Sequence, residues 1–234
     1  MELRDDQPMK HEIGNRTYIV ADVEPLDVDG VRTVEVGSAL WLIGFVALLP
    51  FYGEHFARLV SDGQDVDGEA RLADALVRRG ARIIDVGSGI GRVGEALRRR
   101  GHDVVATEPD PALRAQSLST YPDLAVLPHA ALDLDPAVHD GFDLVVVVGN
   151  VMIFLGEGTE RAVLTRLAEL LAPGGRLLVG FHLSAVMSRS RTYAPDEFVA
   201  DAAAAGLAVD QRFGTYELHP PAEDYAVWIL SAPG

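Results

Sequence analysis

Cysteine is absent from the 234 residues, which removes disulfides, thiolate metal sites and cysteine nucleophiles together. Lysine is nearly absent: Lys10 stands alone, and arginines make up the rest of the 20 basic residues. With no lysine beside any glycine-rich turn, a Walker-type phosphate loop is excluded, as is Schiff-base chemistry on a central lysine. Positive charge as a whole is scarce. The formal net charge of -15 argues against nucleic acid as a partner, because phosphates demand basic surface. Long apolar runs are missing too: the longest, residues 39–52, is interrupted by Pro50 and falls short of the ~20 residues a membrane-spanning helix needs. No basic-then-apolar leader pattern opens the chain, so the expected compartment is the cytoplasm, with no membrane partner.

What is present reads as a globular α/β chain. Hydrophobic residues make up 48%, enough for a sizeable core at this length. Residues 18–36 are rich in Val and Thr and are broken by Asp27-Val28-Asp29-Gly30, a hairpin signal. The apolar stretch that follows, with residues 54–60, predicts one or two helices broken near Pro50. Residues 61–68 are polar and glycine-containing, which suggests an N-terminal extension over 1–68 and a main domain over 69–234.

From Glu69 the pattern becomes regular. Ala70, Leu72, Ala73, Leu76 and Val77 suit an amphipathic helix that stops near Gly80. Strands are predicted at 82–86, 104–107, 124–127, 142–148 and 176–181, with Ala172-Pro173-Gly174-Gly175 turning the chain into the last of these. Helices are predicted from the glycine turn to about Arg100, and over 112–119, 160–171 and 195–205. Residues 207–216 and 225–230 read as two closing strands. Strands alternating with helices imply a doubly wound, mostly parallel sheet of seven strands, Rossmann-like in architecture.

The richest segment is Ile84-Asp85-Val86-Gly87-Ser88-Gly89-Ile90-Gly91-Arg92. It predicts a buried strand ending in a carboxylate, a glycine turn and a helix start, where backbone approaches a ligand closely and free N–H groups collect. Two spacings overlap there. Gly87-x-Gly89-x-Gly91 is one, and Gly89-x-Gly91-x-x-Gly94 matches the dinucleotide fingerprint. Glu108, about 20 residues on, suits ribose hydroxyls in either reading. Asp85 separates them: a carboxylate at that strand end repels a pyrophosphate and welcomes a phosphate-free cofactor with a cationic end. The Tyr-x-x-x-Lys pair of many reductases is also missing.

With Glu108, the strand Phe142-Asp143-Leu144-Val145-Val146 and the turn Ala172-Pro173-Gly174-Gly175, this segment resembles the class I S-adenosylmethionine-dependent methyltransferases. The likeness spans roughly residues 69–234. It implies S-adenosylmethionine as cofactor, held by Asp85, Gly87, Ser88, Gly89, Gly91, Arg92, Glu108, Pro109, Asp110, Asp133, Asn150 and Val151. Within that set it implies the loop under the methionine and ribose parts, Asp85 near the methionine ammonium, Glu108 on both ribose hydroxyls, and Pro109 and Asp110 beside the adenine. Asn150 would line the methyl-donor site. Many relatives carry an Asp after strand three for the adenine amino group. Here Leu127-Pro128-His129-Ala130-Ala131 has none, leaving Asp133 or His129 for that role.

The resemblance implies in-line transfer of a methyl group, for which a general base is needed only when the acceptor is protonated. His182, at the end of strand five, and Tyr193, in the next loop, are the catalytic candidates, with His55 a third. The extension offers Tyr52 and His55 for the acceptor pocket. Neither an Asn/Asp-Pro-Pro-Tyr motif, as in enzymes that methylate planar amino groups, nor an Asp-Asp-Asn magnesium set is present. The expected reaction is therefore metal-independent O- or N-methylation of a small molecule. An NAD(P)-dependent reductase and a non-catalytic S-adenosylmethionine-binding module are the alternatives. Oligomeric state is not legible.

Overall fold

Runs of Val, Leu and Ile flanked by amphipathic helices assemble into a layered α/β sheet. A computed structural model describes residues 65–187 and 189–232, together with the backbone strands 9–13, 16–20, 24–28 and 31–35. The chain divides into two compact units, Met1–Glu54 and His55–Gly234. The division expected after residue 68 falls inside the second unit. There the Val66 carbonyl already accepts from Arg92 Nη1, and Asp67 Oδ2 from Arg100 Nη2.

In the first unit, β1 (Met9–Ile13) and β2 (Arg16–Val20) form one antiparallel hairpin. A second joins β3 (Glu24–Val28) to β4 (Val31–Glu35), with Val28 paired to Val31 around Asp29-Gly30. The Asp-Gly signal predicts this second hairpin. The sequence reading does not separate off the first, although Gly14-Asn15 between two short runs is itself a hairpin signal. The predicted helices over residues 39–60, with Tyr52 and His55, lie outside the described residues.

The described elements of the second unit run α1 (Gly68–Ala75), β5 (Arg82–Val86), α2 (Arg92–Arg99), β6 (Asp103–Thr107), α3 (Pro111–Thr120) and β7 (Ala125–Leu127). They continue with β8 (Phe142–Val147), α4 (Glu160–Glu169), β9 (Leu171–His182), α5 (Pro195–Ala204), β10 (Ala208–Phe213) and β11 (Tyr225–Ser231). Seven strands make one sheet in the order β10-β11-β9-β8-β5-β6-β7. All the neighbouring pairs are parallel except the two made by β11, which runs antiparallel to both β9 and β10.

Both faces are covered, which is why β8 reads as continuous Leu and Val. On one face Ile84, Val145, Val147, Leu177 and Val179 pack with Val163, Leu164 and Leu167 of α4 and Phe198 of α5. On the other, Ile83, Leu144, Val146 and Leu178 meet Leu72 of α1 and Val93 and Leu97 of α2.

One prediction changes in kind. The Pro173-Gly174-Gly175 turn is a bulge within β9, since Leu171 already pairs with Phe142 and the register shifts between Phe142 and Leu144. A Cβ on Gly175 would lie 2.7 Å from the Phe142 carbonyl oxygen, so the two backbones meet there with no room for a side chain.

The sheet order reverses between β5 and β8. Ligands of open α/β sheets bind beyond the carboxyl ends of strands at such a switch point. Asp85, Glu108, Asn150 and His182 all stand at or just past the carboxyl ends of β5, β6, β8 and β9. Among the described residues no helix is long and apolar enough to cross a membrane.

Candidate functional site

The glycine turn is held from two sides. The amides of Gly87 and Ser88 both donate to the Thr107 carbonyl at 2.9 Å, fastening the turn to the end of β6. Gly91 then starts α2 with φ 81°, a left-handed conformation that glycine adopts without penalty. A Cβ there would lie 2.2 Å from Ser117 Oγ of α3. Gly87, at φ 72°, lies so close to Val151 that a Cβ would come within 2.7 Å of its Cγ2. Beside Gly89, by contrast, no atom of the described residues lies within 4 Å of where a Cβ would stand.

Gly91 has no side chain to cap α2, and Asp85 supplies the missing oxygen from the end of β5. Its Oδ2 accepts from the Gly94 amide at 2.9 Å, in the first turn where helix N–H groups lack partners. The carboxyl is 2% exposed, and burial pushes its pKa up to about 7 against the opposing pull of the Gly94 amide and Arg92. Its Oδ1 has no hydrogen-bond partner among the described residues. Gly94, the last glycine of the dinucleotide-like spacing, is thus explained by packing: a Cβ would crowd Asp85 Oδ2 and Leu124.

Glu108 closes the other side. Its Oε2 accepts from the Gly89 amide and its Oε1 from the Asp110 amide, each at 2.8 Å. Burial raises its pKa, with those two amides opposing. Ser88 Oγ is buried in the same turn without a partner among the described residues. Two buried carboxylates and, among the described residues, an unpartnered hydroxyl and free space at Gly89 fit a cofactor carrying a cation at one end and a diol further along. S-Adenosylmethionine has both.

Other predicted positions hold structural bonds. Arg92 grips Glu69 of α1 through both carboxylate oxygens, at 2.6 and 3.1 Å, in addition to its bond to the Val66 carbonyl. Asp110 caps α3 by accepting from Ala112 and Leu113, and the Pro109 carbonyl accepts from Arg114. Asp133 accepts from the Ala130 amide at the surface.

Asn150 and His182 meet. Asn150 Oδ1 accepts from both the backbone amide and Nδ1 of His182, each at 2.9 Å. The imidazole stands edge-on to Tyr225, with ring centroids 4.8 Å apart. Tyr225 in turn shares a hydroxyl hydrogen bond with Tyr216 at 2.9 Å. The sequence reading places both tyrosines only at the bounds of the closing strands and assigns neither to the site, and no local signal marks them, because the contacts join separate segments.

Tyr193 is not brought to this place. It is fully buried, stacked on Phe181 and edge-on to Phe198, and its hydroxyl donates to Asp201 at 2.8 Å. Burial raises the hydroxyl pKa, so the residue has the surroundings of a packing group.

The methyltransferase domain family matches residues 84–177, and no curated protein sequence matches the chain. A crystal structure of a TehB-like S-adenosylmethionine-dependent methyltransferase from Corynebacterium glutamicum is 31% identical, with a TM-score of 0.71 over 80% of this chain and 99% of that one. An S-adenosylmethionine-dependent methyltransferase from Clostridium acetobutylicum has a TM-score of 0.68 over the same shares at 9% identity. The glycopeptide N-methyltransferase MtfA, in complex with S-adenosylmethionine, aligns with a TM-score of 0.59 over 72% of this chain and 88% of that one, at 16% identity. The last two likenesses concern the fold alone.

Proposed function

The chain belongs to the class I S-adenosylmethionine-dependent methyltransferases, and from that membership we propose that it methylates an oxygen or nitrogen nucleophile of a small molecule without a metal. S-Adenosylmethionine, its cofactor, supplies a methyl group already activated on a sulfonium. What remains for the protein is to hold, orient and dehydrate the reactants, which can supply most of the acceleration.

The observation that carries the site assignment is the tie between Glu108 and Gly89. It puts a buried carboxylate against the open glycine turn, where a ribose diol can replace or share the amide. In this reading Asp85 faces the cationic end of the cofactor through Oδ1, while Val151 and Asn150 wall the methyl-donor side. His182 takes the proton of an acceptor that has one to lose. One neighbour of the same fold is by its name a glycopeptide N-methyltransferase, which acts on nitrogen. Among the described residues no three metal-ligating side chains gather.

Incubation of the protein with S-adenosylmethionine bearing a deuterated methyl group and a panel of small alcohols, phenols and amines tests the proposal. Mass spectrometry is expected to find products heavier by one labelled methyl. Cofactor binding with no labelled product across the panel would favour the non-catalytic alternative.

A further inference from the structure

The contact between Asn150 and His182 specifies which imidazole nitrogen carries the proton. Asn150 Oδ1 accepts from the backbone amide of His182 at 2.9 Å, and a backbone N–H can only donate. That bond fixes the orientation of the Asn150 amide: the oxygen, not the nitrogen, faces β9. His182 Nδ1 lies 2.9 Å from the same oxygen. An amide oxygen can only accept, so Nδ1 must hold the hydrogen. In the neutral ring the lone pair is then on Nε2, which has no hydrogen-bond partner among the described residues.

The surroundings hold this arrangement in place. Gly149 and Asn150 turn the chain after β8 with φ of 72° and 78°, and the backbone N–H of Asn150 donates to the Gly180 carbonyl of β9 at 3.2 Å. Asn is one of the few residues with a side chain that accepts a left-handed backbone readily. The Tyr225 ring, perpendicular to the imidazole at 86°, limits its rotation from the β11 side.

We propose that Asn150 is a positioning residue, which locks His182 as the Nδ1–H tautomer and so presents Nε2 as the proton acceptor for a protonated methyl acceptor, an alcohol, phenol or ammonium. This rests on the methyl-transfer reading above. The acceptor gives its proton to Nε2 and its lone pair to the methyl carbon, the carbon–sulfur pair leaves with sulfur, and the imidazolium returns the proton to water. An acceptor with no proton to lose gains nothing from this arrangement, which narrows the substrate class.

Long-range proton–nitrogen NMR of the full chain, at about pH 8.5 where an ordinary imidazole is neutral, reads the tautomer directly. His182 is assigned by its loss in His182→Gln. Wild type and Asn150→Asp, which keeps an acceptor oxygen, are expected to show protonated Nδ1. Asn150→Gly, which keeps the left-handed backbone and removes the acceptor, is expected to show protonated Nε2 in a substantial fraction. A protonated Nε2 in wild type overturns the proposal, as does an unchanged tautomer in Asn150→Gly. If the glycine variant does not fold, the wild-type spectrum decides.

With an alcohol acceptor, Asn150→Gly is expected to lower kcat about 100-fold, the scale of general-base catalysis, with KM for the acceptor little changed. Asn150→Asp is expected to restore most of that loss, and no restoration contradicts the role. The tautomer measurement needs no acceptor, so its failure is distinct from an empty product screen, which bears on methyl transfer itself.

Discussion

Glu108 and Gly89 are joined by a 2.8 Å hydrogen bond from the glycine amide to the carboxylate, so the end of β6 and the turn after β5 form one unit. The second oxygen of Glu108 holds the Asp110 amide, and Asp110 caps the next helix. A carboxylate can accept at both oxygens, whereas a carboxamide can accept at only one. Glu108→Gln is therefore expected to speed hydrogen exchange at either the Gly89 or the Asp110 amide by about tenfold, as loss of roughly 1.4 kcal/mol would do. NMR exchange rates check this, and unchanged protection at both amides would show that the carboxylate does not hold the turn.

Asp85 carries a pH dependence whose sign can be worked out. Burial raises its pKa to about 7, above the ~3.9 of an unfolded chain. The protonated carboxyl is thus favoured in the fold. Its contribution to stability is fully present below about pH 4 and is lost as pH rises through about 7. A cationic group beside Oδ1 reverses the preference and favours the carboxylate. S-Adenosylmethionine affinity is therefore expected to rise with pH across the neutral range, with proton release on binding. Calorimetry in buffers of different ionisation enthalpy measures that release, and Asp85→Asn is expected to abolish it. Release undiminished in Asp85→Asn would place the titrating group elsewhere.

Gly180 is expected to tolerate no side chain. A Cβ would lie 2.0 Å from the Tyr216 hydroxyl and 3.0 Å from that of Tyr225, inside the pair that backs His182. Overpacking of this kind costs about 1–3 kcal/mol, so Gly180→Ala should shift the urea midpoint downward with its slope unchanged. It should also broaden or move the His182 ring resonances. A variant with wild-type stability and unmoved resonances would mean that the tyrosine pair relocates freely.

The central sheet was legible because burial on both faces writes itself into sequence. Ile83-Ile84, Val104-Val105-Ala106 and the run from Phe142 are apolar at successive positions, and their strands fall within a residue or two of the expected bounds. The turn after α4 misled for a physical reason. Pro173-Gly174-Gly175 has turn chemistry, but pairing between Leu171 and Phe142 absorbs it as a bulge. On the candidate cofactor side, Asp85, Glu108 and the glycines could be singled out because they lie along one βαβ segment, which the fold ties together through the Gly94 and Gly89 amides. Tyr193 looked like a loop residue near a strand end, and only the tertiary stack with Phe181 and Phe198 shows it to be core. The Asn150–His182 bond spans 32 residues of chain and leaves no local pattern. It had to come from the fold.

The account turns on Glu108 and the glycine turn holding S-adenosylmethionine, and isothermal calorimetry of wild type and Glu108→Ala against S-adenosylmethionine and NADPH tests it most directly. The expected result is S-adenosylmethionine binding by wild type, weakening by more than about 1.5 kcal/mol in Glu108→Ala as charge-assisted hydrogen bonds are lost, and no binding of NADPH. Equal affinity in the two proteins would remove Glu108 from the site, and NADPH binding in place of S-adenosylmethionine would contradict the account.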